Sequence, residues 1–268
     1  MSVVFVHGVP DTPRVWDAVV SRLDRKDVVR QSLPGFGCSL PKNFGATKEA
    51  YVEWLLGELR ALKGPIDLVG HDWGGLLVVR AGSVRPEAVR NWAAGGAPLD
   101  REYMWHQAAR ARQTPGMGER VLEGLTPEAL QAALVAAGVP VADAATATGN
   151  LDDTMKQCIL KLYRSAVTAG AEWEDDLRRV SAPGSSCGRE GSVRAGGVRR
   201  APRPEDPRAA RVFSGLLALV AARASRRSGR RAPASLGRGL APSPYPLPWK
   251  GRGDRVRRSG ASPFRRRA

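Results

Sequence analysis

Asp72 sits between glycines in Gly70-His71-Asp72-Trp73-Gly74. The apolar run Ile66-Asp67-Leu68-Val69 precedes it and the helical stretch 75–84 follows, so the segment predicts a strand, a sharp turn and a helix. Glycines flanking such a turn permit a strained backbone and close packing, which lifts the central side chain above the sheet edge near the positive end of the helix dipole. A carboxylate placed there is a nucleophile candidate. It is already ionised at neutral pH and needs no base to attack a saturated carbon, as in an epoxide or alkyl halide. The competing reading is a helix N-terminal carboxylate held by free N–H groups. A nucleophilic carboxylate leaves an alkyl ester, whose hydrolysis requires a water activated by a histidine, a second carboxylate to orient that histidine, and N–H donors for the tetrahedral oxyanion. The sequence holds three histidines, His7, His71 and His106, and none after them.

The elements that must position Asp72 are legible around it. Val3-Val4-Phe5-Val6 reads as a short buried strand running into His7-Gly8-Val9-Pro10, which has the look of an oxyanion-hole loop, with Trp16 beyond it. Val28-Val29 leads to Leu33-Pro34-Gly35-Phe36-Gly37, a strand exit with a Pro-Gly turn. Thr47 opens an amphipathic helix whose apolar positions Val52, Leu55, Leu56, Leu59 and Leu62 recur at three and four, as a helix packed on a sheet requires. Residues 92–98 read as the strand after the elbow helix.

The His-Gly-x-Pro loop at 7–10, the Pro-Gly-x-Gly turn at 34–37 and the elbow at 70–74 occur in the order and approximate spacing of the α/β-hydrolase family. Residues 1–184 resemble its aspartate-nucleophile branch, the epoxide hydrolases and haloalkane dehalogenases. The resemblance implies a mostly parallel sheet flanked by helices, with a helical cap. The N-terminal part of the core would span 1–98, the cap 99–177 and the start of the return to the core 178–184. It implies Asp72 as nucleophile and the backbone amides of Val9 and Trp73 as the oxyanion hole. His7, Gly8, Pro10, Gly70, His71 and Gly74 are then structural members of the two motifs. Cap tyrosines of epoxide hydrolases donate to the epoxide oxygen, which makes Tyr103 and Tyr163 candidate substrate contacts, ordinary cap packing being the alternative for each. Trp73 could aim its indole N–H at a leaving halide or could simply pack. The dehalogenases pair that tryptophan with an asparagine just after His-Gly, where this chain has Val9, and the departure favours the epoxide-hydrolase side. His106 reads as a cap residue. Glu172, Glu174, Asp175 and Asp176 read as a solvated helix face. Asp100 lies where some relatives place the acid of the triad, though a surface aspartate at a strand exit needs no such role. The implied substrate is a small molecule, an epoxide or related electrophile, with no cofactor and no metal.

The composition changes near residue 182. Residues 182–268 carry 20 arginines and one lysine against four acidic residues, a net charge of +17, whereas residues 1–181 carry −1. Arginine at that density among Ala, Gly, Pro and Ser is what a GC-rich gene encodes out of frame. If the serines use TCN codons, one added base regroups Ser185-Ser186-Cys187-Gly188 as NTC-NTC-NTG-YGG, whose first three codons encode apolar residues. The segment 185–268 is therefore expected to be a disordered, out-of-frame tail that truncates the hydrolase after its cap, without its histidine and acid. At best one turnover is expected. The alternative is a non-enzymatic hydrolase-like protein whose Arg-rich arm binds nucleic acid or anionic surfaces nonspecifically. The apolar run 212–224 is too short to span a bilayer, the N-terminus does not read as a signal peptide, and three scattered cysteines fit a reducing compartment, so a cytoplasmic protein without membrane partners is expected.

Overall fold

The computed structural model describes residues 2–96, 101–136, 139–177, 179–182 and 184–187. Five parallel strands, β1 (Val3–Val6), β2 (Val28–Gln31), β3 (Ile66–His71), β4 (Val89–Gly95) and β5 (Gly184–Cys187), form one sheet in the order β2-β1-β3-β4-β5. Val3 to Val6 align with Val28 to Gln31 on one side and with Asp67 to Gly70 on the other. The chain winds outward from β1 to β2 and then returns past it to β3. The loops leaving β1 and β3 therefore diverge at their carboxyl ends, and such a switch point opens a crevice suited to a ligand.

Alternation along β1 serves the two faces of the sheet. Val3 and Phe5 pack with Trp16, Val19 and Val69 under a 3₁₀ turn, Pro13–Trp16, and the short helix α1 (Asp17–Val20). Val4, Val6 and Leu68 face the larger core, built with α2 (Lys48–Arg60) and α3 (Trp73–Val84). Thr47 caps α2, its hydroxyl oxygen accepting from the Ala50 N–H. The helix ends at Arg60, two residues short of the last apolar position, and Leu62 packs against the core from the turn that follows. β4 begins at Val89, three residues before the expected start. Its Arg90 and Asn91 are polar because they serve Asp67, whose buried carboxylate accepts from Arg90 Nε and Asn91 Nδ2 at 2.8 Å each. β5 runs through Cys187 beside β4, so the sheet crosses the expected boundary at 184.

Among the described residues six helices lie between β4 and β5, in the segment expected to be the cap: α4 (Gln107–Gln113), α5 (Met117–Glu123), α6 (Pro127–Ala136), α7 (Val141–Thr148), α8 (Asp153–Ser165) and α9 (Ala169–Leu177). The acidic face expected on α9 is an interface rather than a solvated surface. Glu172 and Asp176 lie one turn apart and meet Lys48 Nζ at 2.7 Å and Arg80 Nη1 at 2.5 Å, and both cations also flank the Trp173 ring. Glu174 pairs with Arg101, while Glu172 and Asp175 stay the more exposed of the four. Hydrogen bonds from Lys48 to Glu172 and Glu49 outweigh its desolvation and raise its pKa above the ordinary lysine value.

Candidate functional site

β3 ends at His71, and the chain then reverses into α3 through a single residue, Asp72, whose φ of 52° and ψ of −124° lie outside the ordinary regions for an L-residue. The reversal is held from both sides. The Asp72 N–H donates to the Gly95 carbonyl at 2.7 Å, and the Asp72 carbonyl accepts from Gly75 and Leu76 at 2.9 and 3.2 Å. The helix can start this close to β1 only because residue 74 has no side chain, since a Cβ there would lie 2.2 Å from the Val6 carbonyl oxygen. Gly8 has the same constraint across the site, where a Cβ would stand 2.5 Å from Asp72 Cβ and 2.6 Å from Oδ2.

That approach lets the Val9 N–H donate to Asp72 Oδ2 at 3.0 Å. One carboxylate oxygen is thereby tied to the loop after β1. Pro10 follows a cis peptide and is buried with Val9. His7 sets the loop from inside the protein. The Leu33 N–H donates to its Nε2 at 3.0 Å, which leaves Nδ1 to carry the proton and donate to the Gly8 carbonyl at 2.7 Å. Burial lowers the His7 pKa to about 4, so the ring is neutral with both nitrogens committed. The turn at 34–37 closes against the same ring through Phe36, and Tyr51 donates to the Pro34 carbonyl at 2.8 Å.

His71 is half-buried, its ring lying beside Gly95 and Gly96 at the end of β4. Trp73 is buried and packs rather than facing solvent. It stacks on Trp105 at 5.8 Å between ring centroids and meets Tyr163 edge-on at 5.5 Å. Trp105 in turn contacts Tyr163 at 5.9 Å and Tyr103 at 5.4 Å, so both candidate tyrosines converge on one aromatic cluster above the elbow. Tyr163 is almost wholly buried. Its pKa is pushed up to about 12 by burial and then by the Asp72 charge, against the Arg112 charge and hydrogen bonds from Trp73 and Arg112. His106 caps α4, its Nδ1 accepting from the Ala109 N–H at 3.2 Å. Burial and the Arg112 charge lower its pKa, while the Asp72 charge opposes them.

The whole pattern, from β1 through the elbow to the strand beyond the cap, matches one family over residues 3–267. The chain belongs to the alpha/beta hydrolase family. Among curated relatives it is 38% identical over 79 residues to a protein named probable oxidoreductase EphD of Mycobacterium tuberculosis, covering 27% of this chain and 13% of that one. It is 25% identical over 111 residues to (E)-2-((N-methylformamido)methylene)succinate hydrolase of Acinetobacter baylyi, 41% of this chain and 42% of that one. The chain thus matches less than half the length of these curated relatives. Among solved structures, a haloalkane dehalogenase of Bradyrhizobium elkanii superposes with a TM-score of 0.57 at 20% identity, covering 70% of this chain and 72% of that one. Cfl2 of Burkholderia cenocepacia superposes with a TM-score of 0.60 at 20% identity, covering 69% and 70%. At these identities the likeness is one of fold.

Within this alpha/beta hydrolase, the elbow, the loop at 7–10 and Tyr163 meet at the carboxyl ends of β1 and β3. Asp100 lies outside the described residues, as do Asp206, Asp254 and the Arg-rich segment beyond Cys187. Trp105 and Arg112 were not legible as site residues. The run Tyr103-Met104-Trp105-His106, entering the cap after β4, was the available signal for the first, and nothing local marks the second. Among the described residues no cluster of three His, Cys, Asp or Glu side chains could hold a metal ion, and no helix is long and apolar enough to cross a membrane.

Proposed function

We propose that this alpha/beta hydrolase is epoxide-hydrolase-like, with Asp72 as the nucleophile, and that it stops at the covalent ester. The observation that carries the reading is the strained Asp72 with Oδ2 tied to the Val9 N–H, which leaves Oδ1 as the attacking atom. Oδ1 bonds to an epoxide carbon, and the C–O bond of the ring breaks with its electron pair going to oxygen. That alkoxide takes the Tyr163 hydroxyl proton, which the phenolate recovers from water; Tyr103 is the second candidate donor. The Val9 and Trp73 amides form the oxyanion hole for the later tetrahedral intermediate. Trp73 packs edge-on against Tyr163, and Val9 offers no side-chain donor, which favours an epoxide over an alkyl halide.

Ester hydrolysis needs a free basic nitrogen. His7 has none, the accepting nitrogen of His106 is occupied as a helix cap, and the His71 ring lies against Gly95 and Gly96 at the end of β4. No histidine follows in the sequence. We also infer that the reading frame changes near residue 184, on the strength of the abrupt +17 arginine-rich composition. The division into core 1–98, cap 99–177, return 178–184 and tail 185–268 is kept on that basis, with the change falling inside β5. Sequencing the gene across codons 180–190 tests it, and a frame that yields no apolar strand after one restored base overturns it.

Intact-mass measurement after incubation with styrene oxide tests the chemistry. One epoxide per chain is expected, mapped to Asp72 and absent in Asp72→Asn. Diol accumulating over many turnovers would overturn the single-turnover reading, and labelling indifferent to Asp72→Asn would overturn the nucleophile.

A further inference from the structure

The aromatic cluster above Asp72 contains one cation. Arg112, near the end of α4, places its guanidinium carbon 5.2 Å from the centroid of the Tyr163 ring. The cap has two half-buried arginines among the described residues, Arg112 and Arg164. Arg164 is matched, its Nη2 donating to both Glu119 oxygens at 2.7 Å. Arg112 has no acidic partner among the described residues, and its Nε, like that of Arg164, is buried without a hydrogen-bond acceptor. A guanidinium held among aromatic rings with an N–H left over is costly unless something anionic completes it. Asp72 does not. The charges of Asp72 and Arg112 are both close enough to bear on Tyr163 and on His106, with opposite sign.

Two opposite charges bearing on one tyrosine suit a particular kind of electrophile. An anionic substrate is repelled by Asp72 unless its own charge rests elsewhere, and a planar guanidinium matches a carboxylate in shape as well as sign. We propose that Arg112 is a specificity residue that receives the carboxylate of an anionic epoxide and turns the ring carbon toward Asp72. This rests on Asp72 being the nucleophile. An oxirane-2-carboxylate is the smallest molecule of the class, with the carboxylate on Arg112, the ring oxygen on Tyr163 and the ring carbon at Asp72.

The test compares oxirane-2-carboxylate with oxirane-2-carboxamide on the full chain, reading the rate of ester formation at Asp72 by peptide mass spectrometry. The carboxylate is expected to label Asp72 at least about 10-fold faster than the amide, and Arg112→Gln to cut that ratio by about 10- to 100-fold, as loss of a charge-assisted pair does. Arg112→Lys retains more of the ratio than Arg112→Gln. A ratio near one in the wild type, or one unmoved by Arg112→Gln, overturns the proposal while leaving Asp72 standing as nucleophile. Should neither reagent label Asp72, the nucleophile reading fails, and binding then decides separately. Lactate should quench tryptophan fluorescence through Trp105 where lactamide does not, and the quenching should disappear in Arg112→Gln. Quenching that is absent, or indifferent to Arg112, overturns the carboxylate site.

Discussion

Protonating His7 should unfold the β1 loop, and the size of the effect follows from its surroundings. The ring is wholly buried, with Nδ1–H on the Gly8 carbonyl and Nε2 accepting from the Leu33 N–H. A proton on Nε2 would face that N–H donor to donor. The folded pKa of about 4 lies below the 6.5 of an unperturbed histidine. Between those values the unfolded chain binds a proton that the folded chain refuses, so stability rises with pH through this window. The contribution is fully present above the unfolded pKa and is lost as pH falls toward the folded one. A difference of about 2.5 units corresponds to about 3 kcal/mol at 1.36 kcal/mol per unit, most of it gone by about pH 4.5. Urea denaturation of the wild type and of His7→Gln at about pH 7.5 and about pH 4.5 isolates this part, because carboxylate and His106 titrations are common to both chains. Gln offers an oxygen to the Leu33 N–H but cannot be protonated, so the wild type should lose about 2 kcal/mol more than the variant over that interval. Equal losses in the two chains would refute the assignment of His7 as a neutral buried link. The functional counterpart is that Val9, two residues on, holds Asp72, so epoxide labelling should fall over the same pH range in the wild type more than in His7→Gln.

Gly74→Ala should destabilise the chain by about 2 kcal/mol or more, since its Cβ meets the Val6 carbonyl backbone, and thermal unfolding with an unchanged midpoint would contradict the packing. Lys48→Met should change stability by less than about 1 kcal/mol, because the methionine fills the same space and Glu172 is exposed enough to hydrate. Lys48→Ala, which leaves a cavity as well, should cost about 2 kcal/mol in a denaturant titration. Asp67→Ala strips the acceptor from Arg90 and buried Asn91 and should cost about 3–5 kcal/mol by the same measurement, with Asp67→Asn costing less.

The parts of the site that were legible from sequence are those governed by local backbone chemistry. A residue at φ 52° flanked by glycines, one of which touches the Val6 backbone, leaves a spelling that only such a turn requires, and Gly8 leaves another because it faces Asp72 itself. The two loops so identified leave β1 and β3, and in the order β2-β1-β3-β4-β5 these are the neighbours between which the winding reverses, so their divergence makes the crevice. The cap half of the site had no such signature. Trp105 precedes α4, Arg112 ends it, and Tyr163 comes from α8 some fifty residues later; they meet only because α4 packs on α8 over Trp73. Helical spacing near Tyr163 says that a side chain is buried without saying against what, so Ile159, Leu160 and Leu162 looked the same as the tyrosine beside them. The acidic run on α9 misled for a related reason. Glu172 and Asp176 look solvated in a sequence and become contacts only when tertiary packing brings Lys48 and Arg80 beneath them. Placement of the Asp72 carboxylate is therefore a property of the turn, readable in five residues, whereas the aromatic surface packed over it is assembled from three separate segments. Arg112, without an acidic partner among the described residues, is the feature of that surface on which the proposed preference for an anionic epoxide rests.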